Sequence, residues 1–249
     1  RLMRSFDVEA FAEDLNQGMY FESSIPEGYG VGSSGALIAA LYSKYANNRP
    51  IPEKMESKDI VELKKQLAQL ESFYHGTSSG IDPLNSYLKS PLLFEDNGEI
   101  RKVDIHLPST NQDFAVFLLN SGNKGETSPL VNIFMEKTKQ TGNHGIDVEH
   151  LKDLTQQAIQ SIINGKNREF FNALHGLSNY QLKHFNAMIP EGFHGIWQKG
   201  LDTGKYYLKL CGSGGGGFIL GFTNDFPGVR KMMAKKDLEI VPVYLHQMR

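Results

Sequence analysis

The stretch Pro26-Glu27-Gly28-Tyr29-Gly30-Val31-Gly32-Ser33-Ser34-Gly35 decides how the rest of this chain is read. Its glycines alternate, so the backbone can turn at positive φ and approach a ligand with no Cβ in the way. A small-residue helix over 36–45 follows, ended by Asn47-Asn48-Arg49-Pro50, and its first N–H groups point back into the loop. Two hydroxyls, Ser33 and Ser34, stand at that entrance. The arrangement suits an anion, most often a phosphate. A flexible linker would need neither the helix nor the hydroxyls. The same letters fit the dinucleotide fingerprint at Gly30, Gly32 and Gly35. That motif needs a buried strand leading into its first glycine, and Ile25-Pro26-Glu27 interrupts the approach.

Working outward, 6–16 reads as an amphipathic helix with Val8, Phe11 and Leu15 at helical spacing, and 19–23 as a weak strand. Ser57 can cap a longer helix whose stripe is Ile60, Leu63, Leu67, Leu70 and Tyr74 and which stops at His75-Gly76. The next cluster, Gly76-Thr77-Ser78-Ser79-Gly80, copies the Gly-x-Ser-x-Gly elbow of serine hydrolases. An elbow joins a strand to a helix, and here a long helix precedes it. Two acids flank the cluster. Glu71 falls on the border of the helix's apolar stripe, where a carboxylate is usually solvated. Asp82 precedes Pro83, which reads as an N-cap followed by Pro at the first helical position.

Residues 90–111 are polar and loop-like, and a domain boundary is expected there. Beyond them, 113–120 reads as a buried strand, 148–163 and 168–183 as helices, and 206–211 and 218–222 as strands. A helix near 229–235 and a strand over 239–245 complete the chain. The strands at 206–211 and 218–222 are joined by Gly212-Ser213-Gly214-Gly215-Gly216-Gly217, a loop with five glycines in six positions. Such a loop costs conformational entropy and makes sense where backbone lies against a ligand or another chain segment. Lys209 before it reads equally as an edge-strand charge.

Composition narrows the classes. The 249 residues carry a formal charge of −2 and are 40% hydrophobic, enough for one large or two modest domains. Near-neutrality removes any bulk attraction to nucleic acid or to an anionic membrane. No window approaches the roughly 18 apolar residues of a membrane span. A single cysteine, Cys211, cannot form an internal disulfide, which points to a reducing cytosol. No Walker-type phosphate loop occurs, and the histidines have no metal-ligand spacing. The chain begins at Arg1 without a signal-peptide pattern and reads as a trimmed piece of something longer.

Taken together and in order, the clusters resemble the GHMP kinase superfamily, and within it the mevalonate kinases. The family's Pro followed by a glycine-rich Gly-Leu-Gly-Ser-Ser-Ala is matched from Pro26 through Gly32-Ser33-Ser34-Gly35. Its Glu-x-x-x-His-Gly-x-Pro-Ser-Gly-x-Asp is matched from Glu71 through His75-Gly76-Thr77-Ser78-Ser79-Gly80 to Asp82. Its Lys-Leu-Thr-Gly-Ala-Gly-Gly-Gly-Gly is matched from Lys209 to Gly217, and its Thr-x-x-Leu-Val step at Thr127, Leu130 and Val131.

The resemblance implies an α+β, two-domain architecture. A ribosomal-protein-S5-like N-terminal domain would span 1–108 and a ferredoxin-like C-terminal domain 109–249. It implies ATP-dependent phosphorylation of the primary hydroxyl of mevalonate, with ATP and Mg²⁺ as cofactors. Gly28, Gly30, Gly32, Ser33 and Ser34 would cradle the triphosphate, with Gly212, Gly214 and Gly215 behind it. Ser34 and Glu71 would hold Mg²⁺, and Asp82 would take the hydroxyl proton. A sister activity on a sugar, homoserine or phosphomevalonate is the alternative, as is a non-catalytic nucleotide-binding fragment. The expected setting is the cytoplasm, with a small-molecule substrate, no nucleic acid and no membrane; a homodimer is left open. The chain departs from the family pattern at Val31, Gly35, Ser78, Cys211 and Ser213. Ser78, in place of Pro, is expected to loosen the loop before Asp82. The family's N-terminal motif, with a strand-borne Lys, has no match, so the first strands of the N-terminal domain are expected to be missing.

Overall fold

The computed structural model describes residues 6–105, 114–125, 127–139 and 145–243, which form two compact units. One unit runs through Glu27 and resumes from Gly32 to Asp104; the other combines Gly28–Val31 with the chain from Ile105 onward. The expected boundary at 108/109 lies outside the described residues.

The first unit is mainly helical. Helix α1 (Val8–Asn16) is capped by Asp7, whose carboxylate accepts the Ala10 N–H at 3.0 Å. Residues 19–23, expected to be a strand, are not one. Tyr20 is 82% exposed, and without a partner edge an isolated extended segment has nothing to stabilise it. Helices α2 (Ser33–Tyr45), α3 (Ser57–His75) and α4 (Ile81–Leu88) enclose the core. The α3 stripe is buried as its period requires, with Ile60, Leu63 and Leu67 packed on Ile38, Tyr42 and Leu84. Tyr74, the last residue of that stripe, has its side chain outside the described set.

Ser57 is not the cap of α3. Glu56 and Asp59 form a reciprocal capping box, and the Ser57 hydroxyl instead accepts the Ile100 N–H at 3.1 Å. That bond ties down a hairpin, β1 (Leu92–Phe94) with β2 (Ile100–Lys102), inside the stretch expected to be loop. Burial of Leu93 and Ile100 explains why so polar a stretch still pairs.

The second unit has the strand–helix–strand–strand–helix–strand order of a ferredoxin-like fold. Strand β3 (Ala115–Asn120) is followed by helices α5 (Thr127–Lys139), α6 (Val148–Ile163), α7 (Asn167–His184) and α8 (His194–Thr203). Then come β4 (Tyr206–Leu210), β5 (Phe218–Thr223), α9 (Phe226–Ala234) and β6 (Ile240–Val243). The sheet order is β4-β5-β3-β6, antiparallel throughout. Phe117 lies opposite Gly221, and a Cβ there would sit 2.2 Å from its ring, so the glycine is what admits the aromatic side chain.

Helices α5 and α8 were not expected from the sequence. In α8 the glycines weaken the helical signal. Gly200 is nevertheless required, because a Cβ there would lie 2.6 Å from the Tyr206 carbonyl.

Candidate active site

Within the first unit, Gly32 caps α2 in the left-handed region at φ 78°, and Ser33 and Ser34 are the first two residues of that helix. No side chain caps it. The Ser34 hydroxyl donates to Glu71 Oε1 at 3.0 Å. The Ser78 hydroxyl donates to the other oxygen, Oε2, and itself accepts the Gly80 N–H at 2.9 Å.

Glu71 is therefore not a solvated border residue. It is 6% exposed, held by two hydroxyls, and makes no ion pair among the described residues. A buried carboxylate with hydroxyl partners alone lacks the counter-charge that usually accompanies burial. Ser78 likewise does not loosen its loop; it ties the segment before Asp82 to α3 through Glu71.

Asp82 does not cap α4. Gly80 takes that position at φ 71°, Asp82 is the second helical residue, and no side chain caps the helix. A Cβ at Gly80 would lie 2.4 Å from the Lys64 carbonyl, so the cap must be glycine for α4 to start against α3. The Asp82 side chain sits instead beside α2: a Cβ at Gly32 would lie 3.3 Å from its Cγ, and one at Gly35 2.6 Å from its Cβ. Burial, and then the nearby Glu71 charge, raise the Asp82 pKa above the ordinary carboxylate value, and no cation contributes.

Among the described residues no group of three or more His, Cys, Asp and Glu is assembled. Ser34 and Glu71 nonetheless give a hydroxyl and a carboxylate side by side. That hard-oxygen set fits Mg²⁺, which takes few protein ligands and completes its shell with water and phosphate.

Within the second unit, three glycine-bearing segments stack backbone on backbone. Tyr29 O accepts the Phe218 N–H at 3.0 Å, and Gly28 O accepts the Gly125 N–H at 3.0 Å. Asn123 O accepts from Gly217, and Met188 O from Gly215, each at 2.6 Å. A Cβ at Gly217 would lie 2.5 Å from Tyr29 backbone atoms, and one at Gly216 2.7 Å from the Lys124 carbonyl. So Gly214, Gly216 and Gly217 are buried against other segments of the chain and Gly212 faces outward, while Gly215 is exposed but has Leu130 against it, 2.3 Å from where a Cβ would stand. Gly28 and Gly30 both adopt positive φ, at 81° and 71°.

Lys209 is not a solvated edge charge, although β4 is an edge strand. Its ammonium donates to the Leu210 carbonyl at 3.0 Å, and burial pushes its pKa down. It lines a cavity of about 500 Å³ with Gln181, Ser213, Phe134 and Met188, a feature no spacing in the sequence reveals. Burial also raises the Cys211 thiol.

Residues 3–89 match the family described as GHMP kinases N terminal domain. The chain is also similar, at low identity, to a mevalonate kinase. The Archaeoglobus fulgidus enzyme is 28% identical over 200 residues, which cover 80% of this chain and 63% of that protein. The chain thus spans less than two thirds of that relative's length.

Among solved structures, the Methanococcus jannaschii mevalonate kinase has a TM-score of 0.63 at 20% identity, covering 89% of this chain and 66% of that one. The Streptococcus pneumoniae phosphomevalonate kinase has a TM-score of 0.61 at 16% identity, covering 88% and 72%. Lactococcus lactis galactokinase complexed with galactose has a TM-score of 0.60 at 12% identity, covering 93% and 72%. These likenesses establish the α+β fold.

Proposed function

We propose that this chain belongs to an ATP-dependent kinase that phosphorylates the primary hydroxyl of mevalonate. One observation carries the reading: a buried carboxylate with no ion pair among the described residues, Glu71, shares the entrance of a glycine-capped helix with Ser34 and lies near Asp82. Such a cluster answers the needs of phosphoryl transfer, which depends on positioning and charge stabilisation more than on covalent chemistry.

In this reading the uncapped first turn of α2, with Ser33 and Ser34, binds phosphate through backbone N–H groups and hydroxyls. Gly28 and Gly30, both at positive φ, are the loop glycines proposed to lie along the nucleotide. Of the third cluster, Gly212 is open to a ligand, whereas Gly214 and Gly215 have Met188 and Leu130 against them. Ser34 and Glu71 would hold Mg²⁺, which supplies neutralisation of the phosphate charge. Asp82 would accept the proton of the attacking hydroxyl; its raised pKa brings it nearer the operating pH, as a general base requires.

The setting proposed is the cytoplasm, in keeping with a single unpaired thiol. No described helix is long and apolar enough to cross a membrane. A sister activity is the second reading. It is favoured by the near-equal TM-scores of the mevalonate kinase, phosphomevalonate kinase and galactokinase structures, 0.63, 0.61 and 0.60.

The test is ATP consumption by the full-length protein with mevalonate, phosphomevalonate, galactose and homoserine. Mevalonate should give the highest kcat/KM. A tenfold advantage for another substrate, about 1.4 kcal/mol in transition-state binding, would move the assignment to that sister activity.

A further inference from the structure

The two oxygens of Glu71 are held differently. At Oε2, the Ser78 hydroxyl receives the Gly80 N–H on its own oxygen and so has its proton directed to the carboxylate. The Gly80 N–H is fixed in turn, because Gly80 caps α4 and has no room for a side chain between α4 and α3. That hydroxyl is locked from both sides. At Oε1, Ser34 has this carboxylate as its one hydrogen-bond partner among the described residues. A serine hydroxyl rotates freely, so it can turn its lone pairs to a cation without breaking any other bond.

We propose that Ser78 is a positioning residue: it locks Oε2 of Glu71 and leaves Oε1, together with the Ser34 hydroxyl, as the face offered to a divalent cation. The inference rests on the proposed metal role of Ser34 and Glu71. Outer partners of this kind orient metal ligands, and their loss typically lowers metal affinity about 10–100-fold. Without Ser78 the carboxylate can swing, and its preferred oxygen is no longer fixed beside Ser34.

The experiment titrates Mn²⁺ into the purified full-length protein and reads the affinity for a non-hydrolysable ATP analogue against an EDTA baseline. In Ser78→Ala the half-saturating Mn²⁺ should rise about 10–100-fold, while affinity in EDTA stays near wild type. Ser78→Thr keeps the hydroxyl and should stay within about threefold of wild type; equal loss in Thr and Ala would mean that the hydroxyl is not what matters. If Ser78→Ala does not fold, Ser78→Cys, of similar size but a poor donor, takes its place with the same expectation. Glu71→Gln separates the two levels of the argument. Metal dependence that survives Glu71→Gln overturns the metal site itself. Metal dependence lost in Glu71→Gln but unchanged in Ser78→Ala overturns the role of Ser78 alone.

Discussion

Gly35→Ala measures how tightly α4, and with it Asp82, is held against α2. A Cβ at Gly35 would lie 2.6 Å from Asp82 Cβ and 2.7 Å from both the Asp82 carbonyl carbon and the Pro83 nitrogen. None of these is the movable end of a side chain. Ordinary contact begins near 3.4 Å, so the first turn of α4 would have to retreat by about 0.8 Å, or α2 would have to bend. Two effects oppose each other. Alanine is better than glycine inside a helix by about 1 kcal/mol. Overpacking against backbone that cannot yield costs about 1–3 kcal/mol. The packing effect equals or exceeds the helical gain, leaving a net loss of up to about 2 kcal/mol, or a fall in Tm of up to about 8 °C for a chain of this size. Function should suffer more than stability. A misplacement near 1 Å of a reacting group can cost about 100-fold, so kcat should fall about 10–100-fold, with nucleotide affinity little changed. Urea unfolding and steady-state kinetics on the same preparation read both numbers. A variant with a raised Tm and unchanged kcat would show that α2 and α4 do not meet as closely as described.

Three further outcomes are expected. Asp82→Asn should lower kcat by about 10²–10⁴, since an amide cannot accept the hydroxyl proton; retention of more than about a tenth of wild-type kcat would send the search for the base elsewhere. Because its folded pKa is raised, ionised Asp82 contributes no stability at neutral pH, so the same variant should be as stable as wild type or more so there, and a lower Tm at pH 7 would contradict that sign. Tyr206, 1% exposed and donating to the Ile196 carbonyl at 2.6 Å, has its pKa pushed up to about 12. An unfolded phenol titrates near 10, so stability should be full below about pH 10 and be lost as pH rises toward about 12; Tyr206→Phe should flatten that alkaline limb, and coincident limbs would clear Tyr206 of the effect. Gly217→Ala, at φ 69° with Tyr29 backbone 2.5 Å from the new Cβ, should destabilise the protein far more than Gly212→Ala, where the nearest atom is 3.9 Å away. The reverse order in thermal melts would mean that the third glycine cluster is not packed as described.

The sequence by itself determined the local elements and the order of the small-residue clusters. Helix α3 was legible because Ile60, Leu63 and Leu67 repeat at the helical period and all three are buried. Strand β3 was legible because an apolar run such as Val116-Phe117-Leu118-Leu119 has few other homes. The loop before α2 was legible because only glycine takes positive φ freely, and Gly28, Gly30 and Gly32 all do.

What the tertiary structure decided was the meaning of the polar residues. Periodicity put Glu71 at a solvated border; the approach of α2 and of the Ser78 loop buried it and clamped both oxygens. The pair Asp82-Pro83 spelled a helix cap, but Gly80 already fills that position because nothing larger fits against α3, so Asp82 is left beside α2 with its pKa raised. Five glycines in six suggested either a ligand or another segment, and only the fold sorted Gly214, Gly216 and Gly217 to packing, Gly212 to the surface, and Gly215 to an exposed position crowded by Leu130. The physical reason is common to all three. A hydrophobic stripe is a property of one element and is written along it, whereas the charge, burial and partners of a polar group are set by whatever arrives from elsewhere in the chain, here 37 residues away for Ser34 and Glu71.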